Sequence, residues 1–337
     1  MTIESALLEF HPIREGEHYR KIAYTRIGQF DANDFFICLP GLLETRESFH
    51  PLLELALRFD NCCWLSIDYC GRGSSDPLPI NATYSTSKYL ADVEHLLEAL
   101  ILPILSDPGK KLHLIGTSMG GILAMHIVKH HHEKVASLFL NDIGLFLQWS
   151  ALVSLYHYIQ DSDTDIRKLN VDNRAIEDVH KRSHFDLPYE FDFLGMQFYA
   201  LLKNFNGPVV VLHNANSPIC PLSIANKSKF KFDALTVWTL EGDGHPAHWE
   251  ENTVNKLGQF LKLATKTIKT SDKADVANDS AKLPTLDVVP APDTSTPVFV
   301  DTFINTSKNH LELNTPKRRL WLIRLKNWLR LGSKSHF

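Results

Sequence analysis

Six short apolar runs punctuate the chain: Phe35 to Leu39, Cys63 to Ile67, Leu112 to Ile115, Val135 to Leu140, Val209 to Leu212 and Leu235 to Leu240. Runs of this length, rich in β-branched and aromatic residues, mark strands buried on both faces of a parallel sheet. Helical patterns lie between most of them. Tyr89, Leu90, Val93, Leu96, Leu97 and Leu100 recur at i, i+3, i+4 and i+7 and form one apolar stripe, and a further helix begins over Ile122 to Val128. This alternation predicts an α/β fold: a mostly parallel sheet with flanking helices, where ligands gather at the carboxyl ends of the strands.

One such end carries Gly116-Thr117-Ser118-Met119-Gly120-Gly121. A serine centred in Gly-x-Ser-x-Gly, between a buried strand and a helix, sits on a strained turn that exposes its Oγ. Side chains at positions 116 and 120 would collide across so sharp a turn, which gives the glycines a steric reason. Ser118 is therefore a candidate nucleophile, and a serine hydroxyl needs a base within hydrogen-bond reach. Of 17 histidines, His245 alone stands in a glycine-flanked loop, Gly242-Asp243-Gly244-His245, after the last strong apolar run. His126 and His130-His131-His132, among Lys129, Glu133 and Lys134, read as a solvated helix end rather than a metal site.

Further segments fall in order around these two. They are Cys38-Leu39-Pro40-Gly41-Leu42, Asp68-Tyr69-Cys70-Gly71-Arg72-Gly73-Ser74-Ser75-Asp76 and Asn141-Asp142-Ile143-Gly144. From about Tyr24 to Leu261 this order resembles the α/β-hydrolase fold family. The resemblance implies a nucleophile elbow around Ser118, His245 as the base, an oxyanion hole built from the backbone N–H groups of Leu42 and Met119, and a helical cap. Two departures stand out. Pro40-Gly41 replaces the family's usual His-Gly, although Gly41 still permits the turn and a backbone donor at Leu42 needs no side chain. In His213-Asn214-Ala215-Asn216-Ser217-Pro218, Pro218 occupies the expected position of the acid.

Some family members carry the acid at the end of the preceding strand, where this chain has Asp142. Ser118, Asp142 and His245 then keep the hydrolase order of nucleophile, acid and base. The alternative is that Asp142 braces the entrance to the cap. Asn214 or Asn216 could orient the imidazole as a neutral amide, whereas Asp243, two residues before the histidine, is poorly placed. Asp68 and Asp76 read as shaping the turn about Gly71 and Gly73. Gly71-Arg72-Gly73 lacks the third glycine of a dinucleotide loop, so no cofactor is expected, and no metal either.

The expected organisation is an α/β-hydrolase core in two parts, 1–144 and 207–264, interrupted by a helical cap over 145–206. Trp149, Leu152, Leu155, Tyr156, Ile159, Phe185, Tyr189, Phe191, Phe193, Phe198 and Tyr199 would line a pocket suited to an apolar acyl or alcohol group. Residues 265–315, rich in Thr, Ser, Asp, Ala, Lys and Pro, read as a disordered linker. Residues 316–337 read as a basic amphipathic helix with Trp321, Leu325, Trp328 and Leu329 on one face. Seven Lys or Arg and no acid follow Pro316, leaving −11 on the remainder of a chain whose net charge is −4. Tryptophans beside basic residues suit an anionic membrane interface, with a protein partner as the alternative and nucleic acid not expected.

No apolar stretch approaches the roughly twenty residues of a membrane span, and Met1 to Arg20 shows no signal-peptide pattern. Five cysteines without framework spacing, among them Cys62-Cys63 read as buried structural thiols, point to a cytoplasmic setting, peripheral to the inner membrane surface if the tail binds lipid. The expected activity is serine hydrolysis of a carboxylic ester or related acyl compound through an acyl-enzyme. A carbon–carbon bond hydrolase, an acyltransferase or thioesterase of the same fold, and a catalytically weakened binding or scaffold protein are the alternatives.

Overall fold

The computed structural model describes residues 6–79, 82, 84–148, 150, 151 and 197–265. Of the expectations above, Trp149, Leu152, Leu155, Tyr156, Ile159, Phe185, Tyr189, Phe191, Phe193, the linker after Thr265 and the basic helix at 316–337 lie outside these residues.

Eight strands form one sheet: β1 (Leu7–Glu15), β2 (His18–Ile27), β3 (Asp34–Leu39), β4 (Cys62–Ile67), β5 (Lys111–Thr117), β6 (Val135–Asn141), β7 (Val209–Asn216) and β8 (Leu235–Asp243). Their order across the sheet is β1-β2-β4-β3-β5-β6-β7-β8. β1 with β2 and β2 with β4 pair antiparallel, and every pairing from β4 to β8 is parallel. The six apolar runs of the sequence are β3 to β8. Because β4 and β5 lie on opposite sides of β3, the strand order reverses there, and in sheets of this kind ligands bind beyond the carboxyl ends of the strands at such a switch point.

The inner parallel strands β3 to β7 are buried on both faces, which is why their sequences run largely apolar, whereas the edge strand β8 buries Leu235 and leaves Thr236 and Thr239 exposed. Phe35, Ile37 and Leu39 of β3 join one core with Leu65, Leu114, Leu140 and Val211, while Phe36 and Cys38 join a second core with Trp64, Ile115, Phe139 and Leu212. On the first face lie α1 (Thr86–Leu100) and α2 (Met119–His131). The stripe Tyr89, Leu90, Val93, Leu96 and Leu97 of α1 is buried there, and the Ser85 side chain caps the helix by accepting from Lys88 N–H at 3.1 Å. Also present are α3 (Leu222–Lys231), which packs on this same core through Ile224 and Ala225, and α4 (Glu251–Thr265), which lays Leu257, Phe260 and Leu261 on the second core. Cys38, Cys62 and Cys63 are buried free thiols pushed up by burial to about 12, which suits packing rather than redox exchange.

After β6 the chain leaves the sheet, and the two ends of its excursion meet: Phe146 forms an antiparallel bridge with Gln197, and Phe198 N–H donates to Leu145 O at 2.8 Å. Among the described residues no helix is long and apolar enough to cross a membrane.

Candidate active site

Ser118 follows β5 directly and is the residue from which α2 springs, with φ 49° and ψ −114°. A non-glycine residue at such angles is strained by about 1–3 kcal/mol and persists only where its surroundings over-determine it. Here they do so through backbone bonds on both sides. Ser118 N–H donates to Asn141 O at 2.9 Å, tying the turn to the end of β6, and Ser118 O accepts from Gly121 N–H at 2.9 Å to start the helix. The glycines give the turn its space. A Cβ at Gly116 would lie 2.5 Å from Gly120 O, one at Gly120 2.0 Å from Leu39 O, and one at Gly121 2.4 Å from Ile143 Cγ2. The close approach at Gly120 also sets the start of α2 against the loop that leaves β3.

Asp142 follows β6, one strand over from Ser118, and is likewise held at positive φ, 58°. Only one other described non-glycine residue, Asn61, shares that conformation. Asp142 is completely buried. Its Oδ1 accepts from Asn214 N–H at 3.1 Å, and its Oδ2 lies 2.7 Å from His245 Nδ1. His245 Nε2 lies 2.6 Å from Ser118 Oγ. A carboxylate can only accept, so His245 donates through Nδ1–H, and Nε2 then accepts the hydroxyl proton of Ser118. The structure thus brings Ser118, His245 and Asp142 into one hydrogen-bonded chain.

The other acid candidates fall elsewhere. Asn214 meets Asp142 through its backbone, and its Nδ2 donates to Gly244 O at 3.3 Å, bracing the loop that carries His245 rather than the imidazole. Asn216 is exposed, Pro218 is exposed in the turn after β7, and the side chain of Asp243 is outside the described residues. That turn is closed by Ser217, whose Oγ accepts from Ile219 N–H at 3.3 Å and Cys220 N–H at 3.0 Å. Asp68 is buried and accepts from Arg46 N–H at 2.7 Å and Ser74 N–H at 2.8 Å, while Asp76 accepts from Lys21 N–H at 2.8 Å; both shape the glycine-rich turn.

Leu42 and Met119 stand on either side of the Gly120 contact, one in the loop after β3 and the other at the first position of α2. No hydrogen bond to a described residue occupies either backbone N–H. The groups just before Leu42 are, by contrast, all tied down. Tyr69 Oη–H donates to Pro40 O at 2.9 Å, Arg72 to Gly41 O at 3.3 Å, and Gly41 N–H to Glu44 Oε2 at 2.5 Å. Arg72 is 1% exposed, with its guanidinium over the rings of Tyr69 and Tyr89. Glu44 is also buried, and burial pushes its carboxyl up to about 7 against the opposing pull of the Gly41 N–H, His245 and Arg72. Neither Glu44 nor Arg72 carries a local sequence signature for this role, Arg72 reading only as part of the glycine-rich turn.

The profile of the Alpha/beta hydrolase family matches residues 36–254. Among curated proteins, a serine hydrolase-like protein of Danio rerio is 31% identical over 149 residues, 42% of this chain and 40% of the relative. A 3-hydroxybutyrate-oligomer hydrolase of Cupriavidus necator is 28% identical over 140 residues, 41% of this chain and 44% of the relative. The chain thus aligns with less than half the length of either. Among solved structures, an alpha/beta hydrolase from Novosphingobium aromaticivorans superposes with a TM-score of 0.55 at 22% identity, over 76% of this chain and 98% of that one. An esterase from Rhodococcus sp. superposes with a TM-score of 0.53 at 18% identity, over 77% and 99%. At such identities the structural likeness speaks for the fold.

Proposed function

The chain belongs to the α/β hydrolase family, and from that premise we propose that it is a serine hydrolase, cleaving a carboxylic ester or related acyl compound through an acyl-enzyme. The observation that carries this reading is the hydrogen-bonded chain from Ser118 Oγ to His245 at 2.6 Å and from His245 to Asp142 at 2.7 Å. A serine, an imidazole and a buried carboxylate in that order are the groups acyl transfer needs.

In the forward step Ser118 Oγ attacks the acyl carbon as its proton passes to His245 Nε2. Asp142 holds the ring in the tautomer whose Nε2 is free to accept, and stabilises the imidazolium that results. The carbonyl oxygen gains negative charge, which the N–H groups of Leu42 and Met119 stabilise. Collapse of the tetrahedral intermediate breaks the bond to the leaving alcohol, and His245 returns the proton to it. Water then repeats the sequence on the acyl-serine, with His245 as base and Ser118 as leaving group. The two curated relatives, one named a hydrolase and the other hydrolase-like, agree with this reading.

The aromatic content of 145–206 favours an apolar acyl or alcohol group as substrate, and the basic 316–337 segment favours an anionic lipid surface as the place of work. The test is mass spectrometry of the intact protein after treatment with a fluorophosphonate, beside turnover of p-nitrophenyl esters of rising chain length. A single adduct, lost in Ser118→Ala, is expected. A folded protein that takes no adduct and turns over no ester would refute the proposal.

A further inference from the structure

The loop that leads to Leu42 contains no N–H at Pro40, so its shape depends on how the groups of Pro40 and Gly41 are held. Each is held by a buried side chain. Pro40 O accepts from Tyr69, Gly41 O from Arg72, and Gly41 N–H donates to Glu44 Oε2 at 2.5 Å. Glu44 N–H also donates to Gly41 O at 3.2 Å, so the peptide groups on both sides of Gly41 are engaged and Leu42 is delivered by a closed turn. A Cβ at Gly41 would meet Glu44 Oε2 at 2.8 Å and Thr117 O at 3.5 Å. The carboxylate therefore lies in the seam between this loop and the strand end that carries Ser118.

A buried carboxylate is a costly way to close a turn that an asparagine or serine could close. Its placement is explained by what it fixes. We propose that Glu44 is a positioning residue for the oxyanion site: by holding Gly41 N–H, with Arg72 on the carbonyl side of the same glycine, it aims the free N–H of Leu42 at the oxygen of the reacting acyl group. The inference rests on the serine-hydrolase reading for its catalytic consequence, while the hold on the loop stands independently of it. Glu44 itself touches neither the substrate nor the proton in transit.

The test uses the full chain and four proteins: wild type, Glu44→Met, which keeps volume without an acceptor, Glu44→Ala, and Glu44→Gln, which restores a neutral acceptor. Two readouts are taken, hydrogen exchange of the Gly41 amide by NMR, and kcat with KM on a p-nitrophenyl ester. Glu44→Met and Glu44→Ala are expected to speed exchange at Gly41 by about tenfold or more, the loss of one hydrogen bond of roughly 1.4 kcal/mol. They are expected to lower kcat by about 10-fold to 100-fold with KM within about twofold, because the oxyanion is met only in the transition state. Glu44→Gln should recover both. Unchanged Gly41 exchange in a folded Met or Ala variant overturns the proposal, as does wild-type kcat in either. If the wild type neither labels nor turns over, the hydrolase reading fails and the exchange data alone decide whether Glu44 holds the loop.

Discussion

Asp142 Oδ2 lies 2.7 Å from His245 Nδ1, so the carboxylate that holds this imidazole comes from the end of β6 and not from the turn after β7. β7 itself contributes only a backbone group, Asn214 N–H, which donates to the second carboxylate oxygen at 3.1 Å. Each oxygen of the fully buried Asp142 carboxylate thus has a donor.

Asp142→Asn is expected to lower kcat on a soluble ester by about three to four orders of magnitude, because an amide can present its N–H to Nδ1 and stabilise the wrong tautomer. Steady-state kinetics on protein with a native circular dichroism spectrum is the check. Turnover within about tenfold of wild type would remove Asp142 from the proposed relay.

Gly120→Ala sets a Cβ 2.0 Å from the Leu39 carbonyl oxygen, a backbone atom that cannot move without shifting β3. A loss of about 3 kcal/mol or more, with loss of ester hydrolysis, is expected. Gly16→Ala is the contrast. Gly16 has φ 60° but no atom within 4 Å of its Cβ position, so only the backbone term of about 1 kcal/mol applies. Urea denaturation of the two variants should separate them, and equal losses would contradict the packing argument.

Glu44 gives the stability curve a slope of known sign. Its carboxyl titrates near 4.5 when free and is pushed up to about 7 by burial, so between these values the folded protein binds more protons than the unfolded chain. Wild-type stability contributed by this group is present below pH 4.5 and falls as the pH rises toward 7, by on the order of 3 kcal/mol at about 1.4 kcal/mol per pH unit. Glu44→Gln lacks the titration and should gain on the wild type by that amount between pH 5 and pH 8. Parallel stability curves for the two would show that Glu44 does not titrate there.

Arg20 and Asp92 form a two-bond ion pair between β2 and α1, with Arg20 Nη1 donating to Asp92 Oδ2 at 2.7 Å and both groups buried. Arg20→Leu leaves the buried Asp92 with the Cys70 thiol and Lys88 Nζ, the latter at 3.3 Å, and should cost about 2–4 kcal/mol. Adding Asp92→Leu removes the stranded charge and should restore much of the loss. Thermal melts of the single and double variants decide; strictly additive losses would mean the pair is not coupled.

Deleting 316–337 should abolish binding to anionic liposomes while leaving hydrolysis of a soluble short ester intact. Cosedimentation measures the first and a p-nitrophenyl assay the second. Equal cosedimentation of the truncated protein would end the membrane proposal.

The strands legible in the sequence are β3 to β7, whose apolar runs are buried on both faces, and the edge strand β8, whose Leu235, Val237, Trp238 and Leu240 still form a short apolar run. β1 and β2 escaped notice since β1 is an edge strand with Leu7, Leu8 and Phe10 about half exposed and charges between them. α3 and α4 were also missed; α3 buries little beyond Ile224, Ala225 and Ser228 and presents mostly lysines and polar groups. Within the site, Ser118 and His245 carry local signatures, since their glycines serve the turns they stand on. Asp142 could be placed only by weighing chain order, as nothing in its neighbours records that β6 runs beside β5. Glu44 and Arg72 were silent because what they bind is the backbone of Gly41, which every sequence possesses.

The bond from Ser118 N–H to Asn141 O joins the turn that carries Ser118 to the residue just before Asp142. Two of the three groups in the hydrogen-bonded chain therefore stand at adjacent ends of the β5–β6 ladder, tied by a backbone bond. Only His245 arrives on a separate segment, from the loop beyond β8, and it must meet both partners at once. His245 is thus the one link of the chain supplied by another segment, and a displacement of that loop would part Ser118 and Asp142 from the imidazole together.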